Sequence, residues 1–199
     1  MALPAGAANK TIVFFGDSLT AGYGLSEDSA YPALIQKYMK ADGLDWQVVN
    51  AGISGDTTSG GLKRLNWVMK SGPDAVLVAL GSNDGLRGLD LNLTEKNLES
   101  IITQIKRAHI RVLLAGMMLP VNYGPAYRKK FAGLFARIAA KEKVPLYPFL
   151  LEGIAMKPEY TLPDGVHPNR AGQEILARRV YQFIKPYLAG GKDPVIHGR

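Results

Sequence analysis

Short apolar runs and amphipathic segments alternate along the whole chain. The runs TIVFF (11–15), QVVN (47–50), AVLVAL (75–80) and VLLAGM (112–117) are rich in branched side chains, and a weaker one, VPLYPF, covers 144–149. Their apolarity is continuous rather than alternating, the pattern of strands buried on both faces in a parallel sheet. Between them, apolar residues recur at helical spacing. Tyr31, Leu34, Ile35, Tyr38 and Met39 share one face, and Leu98, Ile101, Ile102 and Ile105 share another, with Thr94 as the expected N-cap of that helix. Phe131, Leu134, Phe135 and Ile138 follow Pro125, and Ile175, Val180, Phe183 and Ile184 follow Pro168. Strict alternation of strand and helix predicts a three-layer α/β/α domain with right-handed crossovers. The expected limits are a loose leading segment at 1–10, one domain over 11–188 and a tail at 189–199.

In such a sheet the loops after the strands gather on one edge, where ligands bind. Those loops carry Gly16-Asp17-Ser18, Asn50 to Asp56, Gly81 to Gly85, and Asp164 to Asn169. A serine hydroxyl is a weak nucleophile until a base takes its proton, and that base needs a third group to fix its tautomer. Three histidines are available. His197 falls in the expected tail, and His109 follows Lys106 and Arg107 at a basic helix end. His167 stands three residues after Asp164, close enough for a carboxylate and an imidazole to meet around one turn. Acyl transfer also needs donors aimed at an oxyanion. The N–H groups of Ser18 and Gly55 and the carboxamide of Asn83 are the candidates; a turn glycine and a loop-capping asparagine explain the last two taken alone, but less well beside Ser18 and His167. Asp17 reads as a structural residue that binds loop backbone groups.

GDSL (16–19), ISGDT (53–57), GSND (81–84) and DGVHP (164–168) resemble, in order and spacing, the four blocks of the GDSL, or SGNH, hydrolases. The wider strings around them are most similar to the bacterial subgroup of multifunctional thioesterases, lysophospholipases and arylesterases, and the resemblance runs from about Thr11 to Tyr187. It implies a flavodoxin-like fold with a five-stranded parallel sheet in the order 2-1-3-4-5. It also implies Ser18 as nucleophile, His167 as general base and acid, Asp164 as its orienting partner, and Ser18, Gly55 and Asn83 as the oxyanion hole. The implied substrate is a small-molecule acyl ester or thioester, cleaved through an acyl-enzyme without metal or organic cofactor. Loops 85–88 and 119–124 are expected to flank the site, with Leu86, Val121 and Tyr123 either as contacts for an acyl chain or as cover for the core.

Two rival readings are a carbohydrate acetylesterase, which would share all four blocks, and a phosphate- or nucleotide-binding module. The second has little support, because GDTTSGGLK (55–63) lacks the Gly-Lys-Ser/Thr ending of a P-loop and no third glycine follows Gly22 and Gly24 as in a dinucleotide fingerprint.

Composition changes this picture only a little. Charge is uneven, about −3 over residues 1–100 and +10 over 101–199 for a net +7. No basic run exceeds Arg128-Lys129-Lys130 and no aromatics alternate with the charges, so the excess reads as solvated helix faces rather than a nucleic-acid site. The absence of cysteine excludes thiol nucleophiles and thiolate metal sites. No apolar stretch is long enough for stable insertion in a membrane. MALPAGAANK has neither the basic start nor the apolar core of an intact signal peptide, yet its small residues resemble those at cleavage sites, which favours a periplasmic or secreted setting over the cytoplasmic alternative.

Overall fold

The computed structural model describes residues 10–189; apart from Lys10 and Ala189, the expected leading segment and the tail with His197 fall outside them. Five strands, β1 (Lys10–Gly16), β2 (Trp46–Asn50), β3 (Ala75–Ala79), β4 (Arg111–Ala115) and β5 (Leu146–Tyr147), form one parallel sheet in the order β2-β1-β3-β4-β5. The seven α-helices among the described residues are α1 (Ser18–Ala21), α2 (Tyr31–Ala41), α3 (Thr58–Met69), α4 (Ser82–Leu86), α5 (Leu91–Arg107), α6 (Pro125–Glu142) and α7 (Arg170–Leu188).

Strand order and crossover handedness decide the layers. The chain moves outward from β1 to β2 and then reverses across β1 to reach β3. With right-handed crossovers that reversal puts α2 on one face and α3, α5 and α6 on the other. The packing agrees: α2 lies against α7, α3 against α5, and α5 against α6. Ile12 to Phe15 in β1 and all of β3 are buried from both sides, as continuous apolarity predicts. Tyr31, Ile35 and Met39 of α2, and Leu98, Ile101, Ile102 and Ile105 of α5, supply fully buried side chains to the common core.

Several boundaries differ from the sequence reading. β1 starts at Lys10, which pairs with Trp46. β3 ends before Leu80, and β4 ends at Ala115, so residues 116–120 leave the sheet. β5 is only two residues long because Pro145 and Pro148 bracket it and have no N–H to donate. Thr94 is not an N-cap. Asp90 caps α5 by accepting from the Asn92 N–H at 2.9 Å, and Thr94 lies buried one turn in.

The order reverses between β1 and β3, and open α/β sheets bind ligands outside the carboxyl ends of strands at such a point. The loop after β2 closes on this place through Gly52. A Cβ there would lie 2.3 Å from the Ala21 backbone nitrogen and 2.8 Å from the Thr20 carbonyl carbon. Backbone cannot yield as a side-chain tip can, so Gly52→Ala should push the loop off α1. We expect a loss of stability of about 1–3 kcal/mol in urea unfolding together with reduced activity; an unchanged midpoint would show that the loop moves freely.

Candidate active site

The first loop turns sharply out of β1. Asp17 caps α1 by accepting from the Leu19 N–H at 3.0 Å, which leaves Ser18 as the first helical residue, at the sheet edge. The second loop is fixed from α3. Arg64 donates through Nε to Asp56 at 2.7 Å, through one terminal nitrogen to the Ala51 carbonyl at 2.8 Å, and through the other to the Gly16 carbonyl at 2.9 Å. One guanidinium thus holds the ends of two strands in register. Gly55 takes φ 78°, a left-handed conformation that side chains resist. In the third loop Asp84 accepts from the N–H and hydroxyl of Thr58 at 2.9 and 2.6 Å, which joins α4 to the start of α3.

In the fourth loop one oxygen of Asp164 accepts from the N–H groups of Val166 and His167 at 2.9 and 3.0 Å, closing a tight turn. Its other oxygen meets His167 Nδ1 at 2.7 Å, and His167 Nε2 lies 2.8 Å from Ser18 Oγ. Two residues 149 positions apart are therefore joined by one short hydrogen bond, and a second extends the series to Asp164. Tyr23 lies against the imidazole, ring centroids 4.5 Å apart. Burial pushes the Asp164 carboxyl up, but the two backbone N–H groups and the imidazole outweigh it and leave it below its ordinary value. It is thus an anion facing Nδ1, which fixes the tautomer with Nε2 free to accept.

Ser18, Gly55 and Asn83 face one cavity of about 450 Å3 together with His167. Asn83 Nδ2 donates to the Asp56 carbonyl at 2.9 Å, with a longer approach of 3.4 Å to Asp17. Arg87 donates to the Gly55 carbonyl at 3.0 Å and to Asn83 Oδ1 at 3.2 Å, so it holds those two groups together.

The outer cavity wall is apolar. Of the three residues proposed to contact an acyl chain, Leu86 and Val121 line it and Tyr123 does not. Its hydroxyl donates to the Leu86 carbonyl at 2.8 Å, and that of Tyr127 donates to the Gly85 carbonyl at 3.2 Å. The first meets a carbonyl that the end of a short helix leaves unpaired, and the second adds to the Gly88 N–H that already donates to Gly85 at 3.2 Å. Leu119 and Pro120, in the loop expected to flank the site, line it too, whereas Met117, Met118, Phe149, Leu151 and Met156 also line the cavity and were not foreseen. For Met117 to Leu119 a signal existed: the apolar run of β4 is longer than the strand needs. Arg64 and Arg87 carried no sequence signal for their roles.

A parallel sheet whose carboxyl edge presents a serine, histidine and aspartate in hydrogen-bonded series defines a serine hydrolase. The chain belongs to the GDSL-like lipase/acylhydrolase family, whose sequence profile matches residues 14–175. It is 41% identical over 183 residues to esterase TesA of Pseudomonas aeruginosa, covering 92% of this chain and 91% of that protein. It is also 41% identical over 187 residues to thioesterase 1/protease 1/lysophospholipase L1 of Escherichia coli, covering 92% and 86%. Among solved structures, the psychrotrophic esterase EstA from Pseudoalteromonas sp., inhibited by monoethylphosphonate, superposes with TM-score 0.87 at 34% identity, covering 91% of this chain and all of that one.

Asp17, 1% exposed, receives hydrogen bonds from the Ser82 hydroxyl and the Leu19 N–H. Burial is the largest influence on it and pushes its carboxyl from the ordinary 3.8 up to about 6, against those two hydrogen bonds and the field of His167. A carboxyl raised on folding stabilises the fold fully below its unfolded value, and that contribution is lost as pH climbs through the folded value. Between about pH 4 and about pH 7 the wild type should therefore lose about 2 kcal/mol relative to Asp17→Asn. Urea unfolding across that range measures it, and a pH-independent difference would show a carboxyl ionised throughout.

Proposed function

We propose that this chain hydrolyses carboxylic esters and thioesters of acyl chains through a covalent acyl-enzyme on Ser18. The observation that carries the proposal is the series Ser18–His167–Asp164, with contacts of 2.8 and 2.7 Å, opening onto an apolar cavity. Ser18 Oγ attacks the acyl carbon as Nε2 of His167 accepts its proton. The Nδ1–H donates to Asp164, whose charge stabilises the imidazolium without taking the proton. The Ser18 N–H belongs to the unpaired first turn of a helix, and the Gly55 N–H has no partner among the described residues. These two donate to the oxyanion with Asn83 Nδ2. The 3.4 Å approach of Asn83 to Asp17 is too long for a good hydrogen bond, so that hydrogen is the one available to the substrate.

Collapse of the tetrahedral intermediate breaks the acyl–oxygen or acyl–sulfur bond, and His167 passes its proton to the leaving alcohol or thiol. Water then attacks the acyl carbon with His167 as base, releasing the acid and restoring Ser18. The names of the Escherichia coli and Pseudomonas aeruginosa relatives, a thioesterase and lysophospholipase and an esterase, support acyl substrates of this kind. Cavity walls built from Leu86, Met117, Leu119, Val121 and Phe149 favour an acyl chain over the bare acetyl group of a carbohydrate acetylesterase.

Hydrolysis of p-nitrophenyl esters from acetate to palmitate tests this directly. Ser18→Ala should abolish turnover, and Asn83→Ala should lower kcat about 100- to 1000-fold. An optimum above acetate is expected; activity on acetate alone would transfer the function to the acetylesterase reading.

A further inference from the structure

Among the described residues that line the cavity, Arg128 is the one lysine or arginine, and none is aspartate or glutamate. Arg128 lies in the first turns of α6, partly buried beside the 117–121 wall. Its Nε donates to the Leu119 carbonyl at 2.9 Å, which fixes the plane of the guanidinium. The terminal nitrogens have no hydrogen-bond or ion-pair partner among the described residues. Arg64, Arg137 and Arg179, by contrast, are paired with Asp56, Glu95 and Glu152. The acid that belongs to the active site, Asp164, is engaged by His167.

A half-buried cation against apolar walls loses hydration without gaining a counter-ion, and arginine presents its free donors in a fixed fork that matches carboxylate and phosphate oxygens. The Leu119 contact orients the fork in advance, which lowers the cost of ordering it when a ligand arrives. We propose that Arg128 is a specificity-determining residue that accepts substrates carrying an anionic carboxylate or phosphate group in addition to the scissile ester. This inference rests on the esterase reading above. The anionic group is borne either by the far end of the acyl chain or by the leaving alcohol.

Two matched pairs separate those sources. p-Nitrophenyl hydrogen glutarate against p-nitrophenyl pentanoate places the charge on the acyl side; monodecanoylglycerol phosphate against monodecanoylglycerol places it on the leaving group. The quantity to read is the ratio of kcat/KM for the anionic member to that for the neutral one. In Arg128→Gln that ratio should fall about 10- to 100-fold in one of the pairs, mainly through KM, with partial recovery in Arg128→Lys. The wild type alone provides a second readout: added salt should lower kcat/KM for the favoured anionic substrate and spare its neutral partner. Ratios that Arg128→Gln leaves unchanged in both pairs, or anionic rates indifferent to salt, would overturn the assignment. Failure of the wild type to hydrolyse any of the neutral esters would instead overturn the esterase reading.

Discussion

A single buried carboxyl group ties the active edge of this protein together. Asp17 leaves β1 with almost no exposed surface, caps α1, and binds the Ser82 hydroxyl in the loop after β3. The strands β1 and β3 are neighbours in the sheet, but their loops would diverge without a group that both can share. Through this carboxyl the turn that presents Ser18 and the turn that presents Asn83 become one object. Burial makes the arrangement costly to ionise, and the hydrogen bonds it receives offset part of that cost.

The neighbouring loops are secured by the same device, a charged group that satisfies several backbone or hydroxyl partners at once. Arg64 binds Asp56 and two carbonyls, Asp84 binds both polar groups of Thr58, and Arg87 bridges Gly55 and Asn83. None of these three side chains needs to touch the acyl carbon. They hold donors where charge develops, and preorganised donors act without rearranging at the moment of reaction. The cavity beyond them is built differently, from apolar residues in segments that have left the sheet, so it has the chemistry to hold an acyl chain with little polar competition.

Much of the fold was legible because the strands are buried on both faces and the helices on one. Continuous and periodic apolarity record those two environments directly in the sequence, and the five strands lie within a residue or a few of the runs that announced them. Places where the reading slipped have local causes. Thr94 resembles a cap, but Asp90 reaches the free N–H groups first. Pro145 and Pro148 shorten a strand that hydropathy alone would extend. Tyr123 sits in the right loop to contact an acyl chain, yet its hydroxyl is drawn to the Leu86 carbonyl instead.

The sequence by itself determined the strand–helix alternation, the family and the residue types available for chemistry, because these depend on local composition and on short ordered blocks. Only the tertiary structure decided which side chains meet. The contact between Ser18 and His167, the bridge of Arg87 and the walls of the cavity all join segments distant in the chain. Such pairings leave no periodic trace in a sequence, since they are set by the order of strands in the sheet and by the direction in which each loop leaves it.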